Sequence, residues 1–177
     1  MEAVTLTEHP RPGRVEGFTV RRGLTEGRYR LADIAIGLEN SPALQALFGG
    51  PDASRHIVKE TQVKLRKSRG YMHIDDGDGS IIASLDYVNQ GDERDLYLDF
   101  VHELTHLKQL RDGMELWEPG FDYVDRPTEL EAYGVAVQEG RRLGMTWKEI
   151  RDYLYTEWMK REEFAKLLRN LGVPEGD

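Results

Sequence analysis

Cysteine is absent from this chain of 177 residues, so disulfides and thiolate metal sites are both excluded. Any metal must be held by histidine and carboxylate. No apolar run is long enough to cross a bilayer, and Met1-Glu2-Ala3-Val4 does not begin a signal peptide. Excess positive charge is missing too. The formal net charge is −8 and the pI is near 5.2, which argues against nucleic acid or an anionic membrane as the main partner. Asparagine and glutamine are scarce, a pattern seen in heat-adapted proteins. What is present is a hydrophobic fraction of 39%, enough for a core, beside a charged fraction of 32%. The expectation is a cytoplasmic protein with one main domain and no membrane span.

The most informative stretch is His102-Glu103-Leu104-Thr105-His106, which reads His-Glu-x-x-His. Residues four apart on an α-helix sit one above the other, roughly 5–6 Å apart at Cβ. Two imidazoles so placed can reach one ion at roughly 2.0–2.1 Å, the usual Zn–N distance. Glu103 then lies beside the ion and not on it, where it can act as a general base toward water.

A helix around this motif is predicted from Asp92, a good N-cap, to about Arg111, with Gly113 as the stop. Leu96, Phe100, Val101, Leu104 and Leu107 cluster on one side. Asp95, Asp99, His102, His106 and Gln109 form a polar stripe opposite, suited to the floor of a cleft. A second helix is expected over Thr128–Leu143, closed by Gly144. A third starts at the capping box Thr146-x-x-Glu149, and a fourth spans Lys160–Leu171. Before the motif, Leu31–Phe48 has helical spacing interrupted by Ser41-Pro42, while Phe18–Arg22, Ile57–Arg66, Tyr71–Ile74 and Ile81–Val88 read as strands. The acidic stretch Asp75–Gly79 reads as a hairpin turn, because its glycines fall out of register for a calcium loop. Residues 1–30 show little periodicity and, Phe18–Arg22 aside, read as irregular; residues 1–50 are taken together as one segment. They read as an N-terminal extension of unknown role that could lie over the cleft, ahead of a domain at 51–177.

Catalytic zinc usually has three protein ligands, and His106 is the last histidine of the chain. The third ligand is therefore sought among acids: Glu129 and Glu131, then Asp122 and Asp125. Leu130, Ala132, Tyr133, Ala136, Val137 and Leu143 define an apolar face centred near Glu129, whereas Glu131 points away with Gln138 and Arg142. Thr128-x-x-Glu131 also gives Glu131 a capping job. An inward carboxylate needs a partner. Glu129 is favoured, and Glu131 stays as the alternative.

His-Glu-x-x-His followed by a glutamate on a second helix resembles the signature of gluzincin metallopeptidases. Glu129-Leu130-Glu131-Ala132-Tyr133 is similar to the Glu-x-x-Ala-Asp pattern of the CAAX-protease and HtpX-type families. In size and lack of membrane spans the chain is most similar to the minigluzincins, with ImmA/IrrE-type peptidases second. The resemblance covers roughly residues 57–143. It implies an α+β, zincin-like fold: a small mixed sheet on the active-site helix, then a glutamate helix and further C-terminal helices. It also implies Zn2+ on His102, His106 and Glu129, Glu103 as general base, and a peptide or protein as substrate. Ile81–Val88 would be the strand that pairs with extended substrate. Tyr123, Tyr133 and His73 are the candidates for stabilising the oxyanion. One departure stands out. The pattern has an aspartate orienting the first histidine where this chain has Tyr133, leaving Asp99, Asp122 or Asp125 as replacements. The competing expectation is a zinc-stabilised binding or scaffold protein, or a latent peptidase with little turnover. A peptidase that cleaves a repressor is a third.

Overall fold

Val63 and Leu65 alternate with polar neighbours and so form the middle of a sheet. A computed structural model describes residues 13–176, and in it these two side chains are fully buried in a strand. In chain order the elements are β1 (Thr19–Val20), β2 (Gly27–Arg30), α1 (Leu31–Ile34), β3 (Ala35–Ile36), α2 (Pro42–Phe48), α3 (Pro51–Glu60), β4 (Gln62–Arg66), β5 (Met72–Ile74) and β6 (Ile81–Ser84). They continue with α4 (Leu85–Gln90), α5 (Glu93–Arg111), α6 (Pro127–Arg142), α7 (Trp147–Leu154) and α8 (Arg161–Leu171). The architecture is α+β. One sheet has the order β2-β4-β6-β5, with β4 and β6 parallel and the outer pairs antiparallel; β1 and β3 make a separate ribbon.

Asp92 caps α5 as expected, its carboxylate accepting from the Asp95 N–H at 3.0 Å. Gly113 follows the helix at φ +80°, a conformation that favours glycine. α5 is buried nearly all round. Leu96, Phe100 and Leu104 enter the core, and His102, Glu103, His106 and Gln109 are buried as well. The polar stripe thus faces packed neighbours, chiefly α6, and not an open cleft. Tyr97 ties α5 to its surroundings through hydrogen bonds to Ser41 and to Glu139 of α6. The Thr146–Glu149 capping box of α7 is formed, and α8 begins one residue past the expected Lys160.

The hairpin β5–β6 turns through Asp75–Ser80. Its acids serve the turn and a neighbouring strand. Lys64 of β4 donates to Asp75 at 2.9 Å and Asp78 at 2.8 Å, and Asp75 and Asp78 accept the N–H groups of Gly77 and Ser80. The Lys64 ammonium holds both carboxyls below the usual carboxylate range.

Several boundaries differ from the sequence reading. Ile57–Glu60 is the last turn of α3, not strand, because Gly50-Pro51-Asp52 starts a helix that buries Ser54, Ile57 and Val58 at helical spacing. Ile81–Val88 is strand only to Ser84, after which Leu85–Gln90 is helical. β6 also lies between β4 and β5, so its backbone edges are both taken. That removes it as the strand that pairs with substrate. Leu31–Phe48 breaks at Gly37, where φ is +89° and a Cβ would sit 1.9 Å from the Gly17 carbonyl oxygen. Gly27–Arg30, read as irregular, is a strand on β4.

Phe18, Val20, Leu31, Ile34 and Leu44 share one core with Leu96, Phe100, Ile150 and Leu167. Phe18 packs edge-on against Tyr97 at 5.0 Å, and Thr19 and Val20 both donate to Glu93. Residues 1–12, part of the segment expected to lie over the cleft, are outside the described residues.

Candidate metal centre

His102 and His106 project from adjacent turns of α5 toward the first turn of α6, where Glu129 points inward. These three residues are buried to within 6% exposure or less. The two Nε2 atoms are 3.1 Å apart, and each lies 3.3 Å from a Glu129 carboxylate oxygen. Ligand atoms held tetrahedrally at roughly 2.0–2.1 Å from one ion lie roughly 3.3–3.4 Å from one another, by the geometry of such sites. The observed edges fit that set. Glu129 Oε2 has no aligned hydrogen-bond donor although it is buried, and a cation shared with the imidazoles would satisfy it. The buried group of His102, His106 and Glu129 can therefore hold a metal ion.

The tautomer of His106 follows from its neighbour. Gln109 Nε2 donates to the Thr128 carbonyl at 3.0 Å and to Glu131 Oε2 at 3.1 Å. With two acceptors around the amide nitrogen, Gln109 Oε1 must face the imidazole, where it lies 2.8 Å from Nδ1. Nδ1 is thus the donor, and in the neutral ring the Nε2 lone pair points into the cluster. Glu131 is exposed and stands two contacts away from the site, bracing Gln109. Its expected capping box is not formed. α6 starts at Pro127 with Arg126 as N-cap, and the Thr128 hydroxyl donates to the Leu116 carbonyl instead.

Burial raises the Glu103 carboxyl to about 7; the Glu129 and Asp99 charges push the same way while the two histidines oppose. Its Oε2 is buried without a hydrogen-bond partner. Burial works against both members of the His106–Glu129 pair as well. Their mutual contact wins, raising His106 to about 9 and holding Glu129 far below the usual carboxylate range.

Tyr133 packs its ring edge-on against His102, centroids 4.4 Å apart, and its hydroxyl meets that of Tyr123 at 2.7 Å. It fills the aspartate position of the resembled pattern with a ring contact, and His102 Nδ1 is left buried without a hydrogen bond. None of the suggested replacements supplies one. Asp99 accepts the hydroxyls of Tyr87 and Tyr153, Asp125 is held by Lys166 and Asn170, and Asp122 is exposed. His73 is exposed on β5, outside the cluster. Trp117 lies beside His106 at 6.3 Å between centroids, and the Arg126 guanidinium sits over Trp117 and Tyr123.

The sequence reading missed Gln109 as an orienting group and gave Arg126 and Trp117 no role. Gln109 was already on the histidine stripe, one turn past His106. Its bracing by Thr128 and Glu131 had no local signal.

No protein-family profile, curated protein or solved structure matches the chain. Among the described residues no helix is long and apolar enough to cross a membrane.

Proposed function

We propose that the chain is a cytoplasmic, zinc-dependent metallopeptidase with a zincin-like fold. The observation that carries this reading is Glu103, a buried carboxyl with an unpartnered oxygen, beside a compact His2Glu donor set. Oxygen and imidazole donors in a tetrahedral spacing suit zinc. His102, His106 and Glu129 would hold the ion, with Gln109 fixing the ring of His106. A bound zinc supplies Lewis acidity toward a water and toward the carbonyl it attacks. Glu103 would accept the proton of that water and later deliver it to the departing amine, the two halves of a general acid–base role. The Tyr133 hydroxyl, or that of Tyr123 bonded to it, is the donor available for the developing oxyanion.

His102, Glu103, His106 and Glu129 are all nearly inaccessible, so a peptide reaches Glu103 only when the rim opens. The connection between α5 and α6, with Trp117 over His106 and positive-φ glycines at Gly113 and Gly120, is the element placed to move. The closed site and the unpartnered His102 Nδ1 favour a second reading, a latent peptidase or a zinc-stabilised binding protein with little turnover. A peptide and casein hydrolysis assay separates the two. Activity that chelator removes, zinc restores and Glu103→Gln abolishes supports the enzyme. No hydrolysis by stoichiometrically zinc-loaded protein moves the assignment to the binding protein.

A further inference from the structure

Arg126 is a guanidinium without a carboxylate in a chain where acids outnumber Lys and Arg by 32 to 24. Among the described residues it makes no ion pair and no side-chain hydrogen bond, and its Nε is buried without a partner. Its guanidinium carbon lies 5.7 Å from the Trp117 ring centroid and 6.0 Å from that of Tyr123. Asp122 and Glu118 are exposed and make no ion pair with it, and three other carboxylates close to it in sequence are engaged elsewhere. Asp125, next in sequence, is held by Lys166 and Asn170; Glu129 faces the two histidines; Glu131 accepts from Gln109.

Both aromatic contacts lead to the metal centre. Trp117 neighbours His106, and Tyr123 is hydrogen-bonded to Tyr133, whose ring touches His102. Contact with π-faces steadies a cation without using its N–H donors. The two Nη groups therefore remain available, and two parallel N–H donors are the complement of a carboxylate.

We infer that Arg126 is a specificity-determining residue that receives a carboxylate of the substrate at the rim of the metal centre. This rests on the peptidase reading for the identity of the ligand as a peptide. Two sources share the chemistry: the C-terminal α-carboxylate, and the side chain of an aspartate or glutamate. The first would make the protein act near peptide C-termini, the second on acidic sequences.

The test is peptide binding to the full chain, chelator-treated and zinc-loaded, followed by tryptophan fluorescence. The probes are an N-acetylated neutral tripeptide as the free acid, its C-terminal amide, and an amidated analogue carrying aspartate. Binding of the free acid at least tenfold tighter than the neutral amide assigns the α-carboxylate. A gain only with the aspartate analogue assigns the side chain. Arg126→Gln should erase the preference and leave zinc stoichiometry unchanged, and Arg126→Lys should keep part of it. Equal binding of all three probes, no binding, or a preference that survives Arg126→Gln overturns the inference. If the glutamine variant fails to fold, the lysine variant and the wild-type comparison of acid with amide still decide. A carboxylate preference without any peptide hydrolysis leaves the inference standing and removes the peptidase reading. Hydrolysis without that preference does the reverse.

Discussion

Gln109 Oε1 accepts the Nδ1 proton of His106 at 2.8 Å, so the orientation of one candidate metal ligand is set by the residue three positions along the same helix. His102 has no equivalent support. Partners of this kind typically contribute 10–100-fold in metal affinity or activity. Gln109→Ala should weaken zinc affinity within that range, read by competition with a chromophoric chelator. Glu131→Ala, which removes the brace on Gln109, should weaken it less and should cost little helix stability, since Glu131 caps nothing. Unchanged affinity in Gln109→Ala would show that His106 needs no second partner.

Metal content tests the donor set itself. Reconstituted protein should hold close to one equivalent of zinc by elemental analysis, and His102→Ala, His106→Ala and Glu129→Ala should each lose it. Uptake should also release protons. In the metal-free protein His106 is raised to about 9, so below that pH a proton competes with the ion. Apparent affinity should therefore rise steadily from pH 6 to 9. Affinity independent of pH, or stoichiometric zinc in the histidine variants, would place the metal elsewhere.

The ends of α5 were legible because their signals are local: the Asp92 cap, the acidic first turn and Gly113. The inward phase of Glu129 was legible from the apolar face around it. Ile81–Val88 was misjudged because a short apolar run suits a buried strand or a buried helix equally, and here it is one and then the other. The closure of the histidine stripe was not legible at all. It depends on α6 packing across α5 and on Trp117 from the connection between them. Long-range contacts of that sort leave no mark on periodicity.

Asp95, in the first turn of α5, gives a prediction about stability. Burial first, then the Asp92 and Asp99 charges, raise its carboxyl to about 7 from the ordinary 3.8 of an aspartate. Between those pH values the folded chain keeps a proton that the unfolded chain has lost. Stability from this group is therefore present at low pH and falls as pH rises through the window. Raising the carboxyl from 3.8 to about 7 corresponds to at most about 4 kcal/mol; solvent exposure and the helix dipole, which favours an acid here, reduce it to roughly 1–2 kcal/mol. Asp95→Asn should raise the melting temperature at pH 8 by several degrees, at roughly 2–4 °C per kcal/mol, and change it little at pH 4. A variant that is less stable at pH 8 would show the charge to be favourable in the fold.

Glu103 bears on catalysis alone. It neighbours the donor set in sequence and in space, yet Glu129 and not Glu103 approaches the imidazole nitrogens. Glu103→Gln keeps the shape of the side chain and removes its ability to take a proton. Zinc content and fold should be preserved. In the metal-free protein the melting temperature should rise somewhat above pH 7, because a buried carboxyl raised to about 7 loses stability as it ionises. Peptide hydrolysis should fall by 10²–10⁴-fold, the usual contribution of a general base. The loss should appear in kcat, with KM little changed, since the residue acts on the attacking water and does not bind the peptide. Loss of zinc in this variant would make Glu103 a ligand. Full activity with zinc retained would move the proton transfer to another group, and the buried, unpartnered Oε2 would then have no part in the reaction.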